Sequence, residues 1–406
     1  MRFWRFLANE SVTIEKLTHG WSEQTGPAAA GRHVLAIEDN CEIKFATTQE
    51  SRRGLGKIKK GNVYGVLLHP LLAVDADNGA VLGLAGGTVW TRQGEVTTPH
   101  AQRRLADKES GHWIAGAEDA KERLAQARLI TIVGDREADF YAHWALTPAD
   151  NVHLLTRLMN DHALVEDGTV RTAMARLPVA DTATIELRER ANRRPRPVHL
   201  SLRFASLTLK RPASTGEEGL PDSLRVNAVE VVELHPPAGA EPIHWILLTT
   251  HAVDSAAAAW QIVTWYRQRW LIEQFFRTLK LQGLRIEDSQ LATADRLLKL
   301  VAIAAKAAAI IMQLVQARDG RDRRPASLAF TAQEIAALVA LNARLQGKTA
   351  RQKNPHPETT LAWASWVIAK LGGWHEYEAK PPGPITFHNG LTYFRAFAAG
   401  WACQHV

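Results

Sequence analysis

Tyr266, Arg269, Glu273 and Lys280 lie within one stretch, WYRQRWLIEQFFRTLK, and their types and spacing could do chemistry. The apolar positions Ile262, Trp265, Trp270, Ile272, Phe275, Phe276 and Leu279, with no Gly or Pro among them, predict a helix. At about 100° per residue the four polar residues fall at roughly 0°, 300°, 340° and 320°. A carboxylate beside two cations and a phenol on one arc can hold a metal ion and a phosphate together. A solvated helix face uses the same residue types. The flanking aromatics weigh against that reading, because a face in water gains nothing from Trp265, Trp270, Phe275 and Phe276 at its margins.

Two more acids stand out by position. Asp39 ends a short apolar run (VLAIED) and Asp135 ends another (TIVGD). An Asp after a strand often serves as a turn former or helix cap, and Asp135 could cap a helix beginning near Glu137. Acids at the carboxyl ends of adjacent strands, however, lie where open α/β sheets gather ligands. Asp39, Asp135 and Glu273 together supply hard oxygen donors of the kind that suit Mg²⁺ or Mn²⁺. Two such ions clamp the attacking and leaving oxygens of a phosphoryl displacement.

The elements that must position these acids read as an α/β chain. Residues 1–32 predict one short helix and a linker. Residues 33–160 alternate strand, hairpin, helix, strand and helix, with the hairpin turn at Asp77-Asn78-Gly79. Residues 161–250 predict an all-β segment of about four strands. Helices return over 251–318, and a further helical region occupies 319–406. Arg188, Arg190, Arg193, Arg194, Arg196, Arg203, Lys210 and Arg211 make 188–211 the densest basic segment; a solvated β-ribbon and a DNA-facing strand both fit it. Arg52, Arg53, Lys57, Lys59 and Lys60 form a second basic cluster, in a loop among glycines.

Composition narrows the classes. A net charge of +7 and thirteen Trp against five Tyr favour a polyanionic partner and provide stacking surfaces. Cys41 and Cys403, the only cysteines, cannot build a disulfide framework or a Cys-based zinc site, which fits a cytoplasmic protein. The most apolar run, Leu298 to Val315, is broken by Lys299 and Lys306 and reads as a core helix, so no membrane partner is expected. Gly347-Lys348-Thr349 resembles the end of a phosphate-binding loop, but Asn342 stands where its first glycine belongs. There is no Gly-x-Ser-x-Gly elbow, the histidines lack metal-ligand spacing, and no small-molecule cofactor is expected.

The order Asp39, Asp135, Glu273, with a β-rich segment between the second and third acids, resembles the DDE transposases on a ribonuclease H-like fold. Tyr266-x2-Arg269-x3-Glu273-x6-Lys280 is similar to the Tyr-Arg-Glu-Lys pattern of the insertion-sequence-four type of bacterial cut-and-paste transposase. The resemblance implies a ribonuclease H-like mixed-sheet core (33–160 and 251–318) interrupted by a β-rich insertion. It also implies a C-terminal helical region that contacts a second copy. Asp39, Asp135 and Glu273 would then be the metal ligands, for about two Mg²⁺ or Mn²⁺ ions. Tyr266, Arg269 and Lys280 would hold a backbone phosphate, with Arg157 another phosphate contact. Trp245 would stack on a base flipped from the duplex end, with Trp270 near it. Glu137 and Asp139 would support the site. The implied partners are double-stranded DNA, as element ends and target, and a second copy in a homodimeric synapse at the nucleoid. In this family a helical end-recognition domain normally precedes the helix that FWRFLANESVTIEKL resembles. Its apparent absence makes a shortened, non-catalytic inhibitor acting by dimerisation the alternative, with a general nuclease as a third reading.

Overall fold

The computed structural model describes residues 2–45, 54–59, 63–92, 94, 103–187, 195–213, 219–321, 323–375 and 380–404. The strands are β1 (His33–Glu38), β2 (Cys41–Lys44), β3 (Lys57–Lys59), β4 (Val63–Asp75), β5 (Val81–Trp90), β6 (Leu129–Gly134), β7 (Val152–Arg157), β8 (Asp181–Leu187), β9 (Arg196–Lys210), β10 (Ser223–Leu234) and β11 (His244–Thr249). The helices are α1 (Arg2–Ala8), α2 (Ile14–His19), α3 (Thr25–Ala28), α4 (Gly111–Arg123), α5 (Tyr141–Leu146), α6 (Val170–Arg176), α7 (Ala256–Gln268), α8 (Trp270–Lys280), α9 (Ala294–Ala317), α10 (Ala332–Leu345), α11 (Leu361–Leu371) and α12 (Pro384–Gln404).

One mixed sheet runs in the order β2-β4-β1-β6-β7-β11-β10-β9-β8, with β3 and β5 paired to β4. Its centre is parallel, β1 beside β6 and β6 beside β7; the remaining pairs are antiparallel. Successive side chains of a strand point to opposite faces. On β1, Leu35 and Ile37 join a core with Ile272, Phe275 and Leu279 of α8, while Val34 and Ala36 join a core with Ala117 and Ala120 of α4. A buried strand serving two cores has to be apolar throughout, which explains the near-continuous runs in β1 and β6. A third core joins α9 to α10, α11 and α12.

The hairpin expected at Asp77-Asn78-Gly79 is present: Asn78 Oδ1 accepts the Ala80 N–H and Gly79 takes φ +72° between β4 and β5. Three expectations change. Residues 2–32 form three short helices, not one helix and a linker; α1 and α2 dock on α9 and α3 on β5. Trp21 Nε1 donates to the carbonyl of Ala302, Lys299 Nζ to those of Leu7 and Asn9, and Lys306 Nζ to that of Gly20. The two lysines that interrupt the apolar run therefore satisfy carbonyls at the ends of α1 and α2. Helix α9 has the length and hydropathy of a membrane span, and most of that window is buried inside the protein. Residues 161–250 are not wholly β, because Thr169 and Thr172 form a capping box that starts α6, with Val170 and Met174 buried beneath it. The helix expected through 265–280 is divided at Arg269, which caps both α7 and α8.

At the end of the sheet where β1 begins, Thr131 Oγ1 lies 2.8 Å from His33 Nε2 and 2.7 Å from His251 Nε2, and His153 stacks on His251 at 3.8 Å. Burial, with Arg128 and His153 adding, pulls His33 down to about 4 against Asp77 and Asp75. Burial, with His153 and His33, pulls His251 down to about 3. An imidazole whose pKa is lower folded than unfolded takes up its proton first in the unfolded chain. Its contribution is full above about pH 6.5 and is lost as the pH falls from there toward the folded value. Raised carboxylates such as Asp39 titrate in the opposite sense, so the comparison belongs between wild type and His251→Gln. Between pH 6.5 and pH 5, urea unfolding should show wild type losing about 2 kcal/mol more than the variant; equal losses would refute the assignment.

Candidate active site

Strand register places the acids. β1 pairs with β6 in parallel with Ile37 beside Val133, and β6 with β7 with Gly134 beside Thr156. Continued past the strand ends, the same register sets Asp39 beside Asp135 and Asp135 beside Arg157. All three stand in one row at the carboxyl end of the parallel strands, where open α/β sheets collect ligands. The β1–β4 and β2–β4 registers leave Pro70 opposite Asp39, and a proline has no N–H for the ladder, so the ladder is interrupted between β1 and β2 while the chain runs on in the same register. Ile37 and Val133 face the α8 side, and parity turns Asp39 and Asp135 the same way.

Arg269, at the joint between α7 and α8, meets all three acids. Its Nη1 donates to Asp39 Oδ2 at 3.1 Å, Nη2 lies 3.6 Å from Asp135 Oδ2, and Nη1 lies 3.8 Å from Glu273 Oε1. Tyr266 Oη donates to Asp135 Oδ1 at 3.3 Å. Asp39 Oδ1 also accepts the Asn40 N–H and Asp135 Oδ1 the Arg136 N–H, so each acid is held by the backbone of the residue that follows it. An open cleft of about 480 Å³ adjoins them, lined by Asp39, Asp135, Arg136, Glu137, Met159 and Arg171 among others.

Burial pushes Asp39 up to about 7, with Asp135 and Glu273 adding to the rise against the pull of Arg269 and the Asn40 N–H. Burial works against the Arg269 charge, but Asp135, Tyr266, Asp39 and Glu273 together outweigh it and raise its pKa. Burial also raises the Tyr266 phenol, which stays protonated and a donor. One guanidinium facing three carboxylates leaves a formal deficit of two positive charges. That deficit and the all-oxygen donor set fit a divalent hard cation. Among the described residues no three acidic, His or Cys side chains are gathered at ligand distance, and Arg269 lies between these three acids.

The remaining expected residues divide. Trp245 stands at the start of β11, its indole edge-on to Tyr266 at 5.5 Å, at the same end of the sheet. Arg157 donates to the His244 carbonyl, and burial lowers its pKa, with Arg136 adding. Trp270 is 45% exposed at the start of α8, so burial in the core does not account for it. Lys280 is drawn away from the acids: Nζ donates to the Glu42 carbonyl and lies 3.8 Å from Glu287. Glu137 is exposed and accepts a long 3.5 Å hydrogen bond from Asn40 Nδ2. Asp139 is buried and accepts from Trp144 Nε1, the N–H groups of Met159 and Asn160, and His162 Nε2. It ties α5 to the loop after β7 and does not face the cleft.

Two arginines of the described part of the basic strand are paired with acids. Arg196 pairs with Glu233, Arg203 pairs with Glu230, and Arg211 donates to the Leu220 carbonyl. Arg188, Arg190, Arg193 and Arg194, like Arg52, Arg53 and Lys60, lie outside the described residues. Sequence reading missed Glu38, Asn40, His69 and His143, which lie directly beneath the acids. Their one signal was a second acid, Glu38, directly after the apolar run Val34–Ile37 of a wholly buried strand.

A model of the transposase DDE domain family matches residues 39–310, about two thirds of the chain, starting at Asp39 and enclosing Asp135 and Glu273. The chain belongs to the DDE transposase family. Among solved structures it is similar to the piggyBac transposase in a synaptic complex with hairpin DNA, solved by cryo-EM, at 10% identity and a TM-score of 0.37. That match covers 72% of this chain and 48% of that one, so this DDE transposase spans about half the length of the protein it was compared with.

Asp139→Ala strands four donors in or near the interior. Unfolding measurements should show a loss of about 3 kcal/mol or more, with Asp139→Asn intermediate, at about 1–3 kcal/mol per unpaired buried group. A stable Asp139→Ala protein would mean that Asp139 does not hold α5 to the loop.

Proposed function

We propose that this DDE transposase cuts and rejoins DNA strands in cut-and-paste transposition, as a metal-dependent polynucleotidyl transferase of the insertion-sequence-four type. The observation that carries the reading is the contact of Arg269 with Asp39, Asp135 and Glu273, acids drawn from two strand ends and a distant helix. Structural staples seldom need three carboxylates for one cation, because each added buried charge costs desolvation.

In this reading the core of 33–160 and 251–318 is ribonuclease H-like, and 161–250 is its β-rich insertion. Asp39, Asp135 and Glu273 would hold Mg²⁺ or Mn²⁺, two ions in the full site. When bound, these ions activate the attacking oxygen and stabilise the leaving one. The protein's own groups do the rest. Arg269, released from the acids, turns its planar fork to the scissile phosphate. Tyr266 donates its phenol proton to a non-bridging oxygen, and Arg157 approaches from the adjacent strand end. Lys280 contributes once it leaves the Glu42 carbonyl. Trp245, already edge-on to Tyr266, offers its face to a base extruded from the duplex end, where stacking offsets part of the unpairing cost.

The order of events is cleavage of one strand at an element end, attack of the freed 3′-hydroxyl on the opposite strand to give a hairpin, reopening, and strand transfer to target DNA. The partners are double-stranded DNA and a second copy of the chain, joined through the helices of 319–406, at the nucleoid.

The test is a duplex from the terminus of the element that carries the gene, incubated with protein and Mn²⁺. Nicking is expected, with Asp39→Asn or Glu273→Gln slower by about 10³-fold or more, roughly 4 kcal/mol of lost transition-state stabilisation. Trp245→Ala should slow hairpin formation about 10–100-fold and leave the first nick nearly unchanged. Undiminished nicking by Glu273→Gln would sink the proposal, and equal cutting of unrelated duplexes would leave a general nuclease.

A further inference from the structure

We propose that the buried Glu38 and His69, with Asn40 at the cleft margin, form a positioning chain that fixes the Asp39 carboxylate; the inference rests on the strand-transfer reading of the site. Parity sends Glu38 to the face opposite Asp39, under α4, where its side chain is fully buried. There Glu38 Oε2 lies 3.1 Å from His69 Nε2, His69 Nδ1 lies 2.9 Å from Asn40 Oδ1, and the Asn40 N–H reaches Asp39 Oδ1 at 2.8 Å. The continuous registers of β1 and β2 on β4 set Asn40 across from His69. Trp113 packs edge-on to the His69 ring at 4.8 Å. A Cβ on Gly116 would come within 3.2 Å of Glu38 Oε2 and 3.4 Å of His69 Nε2, so glycine keeps α4 close over the pair.

Donor and acceptor accounting gives the chain a direction. The exposed Glu137 carboxylate accepts from Asn40 Nδ2, so Asn40 turns Oδ1 to His69, and His69 carries its proton on Nδ1. Complete burial pulls His69 down to about 3, so the ring is neutral and its Nε2 is an acceptor. His143 Nδ1 lies 3.0 Å from the Ala138 carbonyl, which can only accept, so His143 Nε2 is an acceptor too. Glu38 thus faces two acceptors and must be the carboxylic acid, its proton going to the nearer one, His69. This explains an otherwise odd pair: Glu38 Oε1 and His143 Nε2, 3.7 Å apart, are both buried without a hydrogen-bond partner. The chain spends one proton on one histidine and leaves the other unmet.

What the chain holds is the two-residue break between β1 and β2, which otherwise share one register on β4. With no N–H on Pro70 to pin the backbone there, Asn40 is pinned by its side chain, and its N–H in turn pins Asp39. Asp39, Asn40 and Glu137 are thereby set from below, while Arg269 acts from above. Glu38 and His69 touch no reacting atom, and they are positioning residues.

The test combines strand nicking with imidazole NMR on His-labelled protein. Glu38→Gln keeps an N–H for His69 Nε2 and should nick within about threefold of wild type. Glu38→Met removes the donor and should lower kcat about 10–100-fold with KM for DNA nearly unchanged. In wild type and Glu38→Gln, the spectra should show His69 and His143 protonated on Nδ1. Glu38→Gln as impaired as Glu38→Met, Glu38→Met at the wild-type rate, or a proton on Nε2 of either histidine would overturn the proposal. If Glu38→Met does not fold, the Glu38→Gln rate and the tautomers still decide it. A wild-type protein that fails to nick DNA while showing the expected tautomers would count against the function and leave the chain standing.

Discussion

Everything at the carboxyl end of the sheet depends on one guanidinium. Arg269 sits between carboxylates that the backbone brings together from β1, β6 and α8, and without a cation they would repel one another in a partly buried site. The joint between α7 and α8 falls at this residue, so the aromatic faces of both helices pack in one core while Arg269 reaches the row of acids. An arginine is suited to the place because its planar fork stays charged and can face several carboxylates at once.

Side-chain alternation on a central strand does two tasks with consecutive residues. Asp39 faces the cleft and Glu38 the core beneath α4. The same end of the sheet therefore carries a charged layer that meets solvent and, one residue back, a neutral layer that does not. Buried polar networks are stabilising only when nearly every group is met, and the single unmet pair at Glu38 and His143 shows how close this one comes.

Much of this was legible in the sequence. Apolar runs ending in acid give β1 and β6, and the Asp77-Asn78-Gly79 turn gives the hairpin, because local chemistry decides each of them. The structure brings Tyr266, Arg269 and Glu273 of the Tyr266–Lys280 stretch to the strand-end acids and Lys280 elsewhere. Helical angles do not know that the backbone breaks at Arg269 or that the Glu42 carbonyl claims Lys280. In the basic strand Arg196 and Arg203 meet Glu233 and Glu230 of the neighbouring strand, and only pairing register shows those partners. Glu38, His69 and His143 come from separate elements, and their meeting is a property of packing. Asp139 resembled a site residue by proximity to Asp135, yet its four donors come from α5 and the loop after β7.

The central claim is that the three acids are a cation site which Arg269 occupies in the absence of metal and leaves in its presence. Anomalous diffraction from crystals of the protein with a cleaved-end duplex and Mn²⁺ tests it most directly. The expected result is a manganese peak bounded by Asp39, Asp135 and Glu273, with the Arg269 guanidinium moved onto a DNA phosphate. Arg269 still bound to Asp39 at saturating Mn²⁺, or manganese bound only elsewhere, would contradict it.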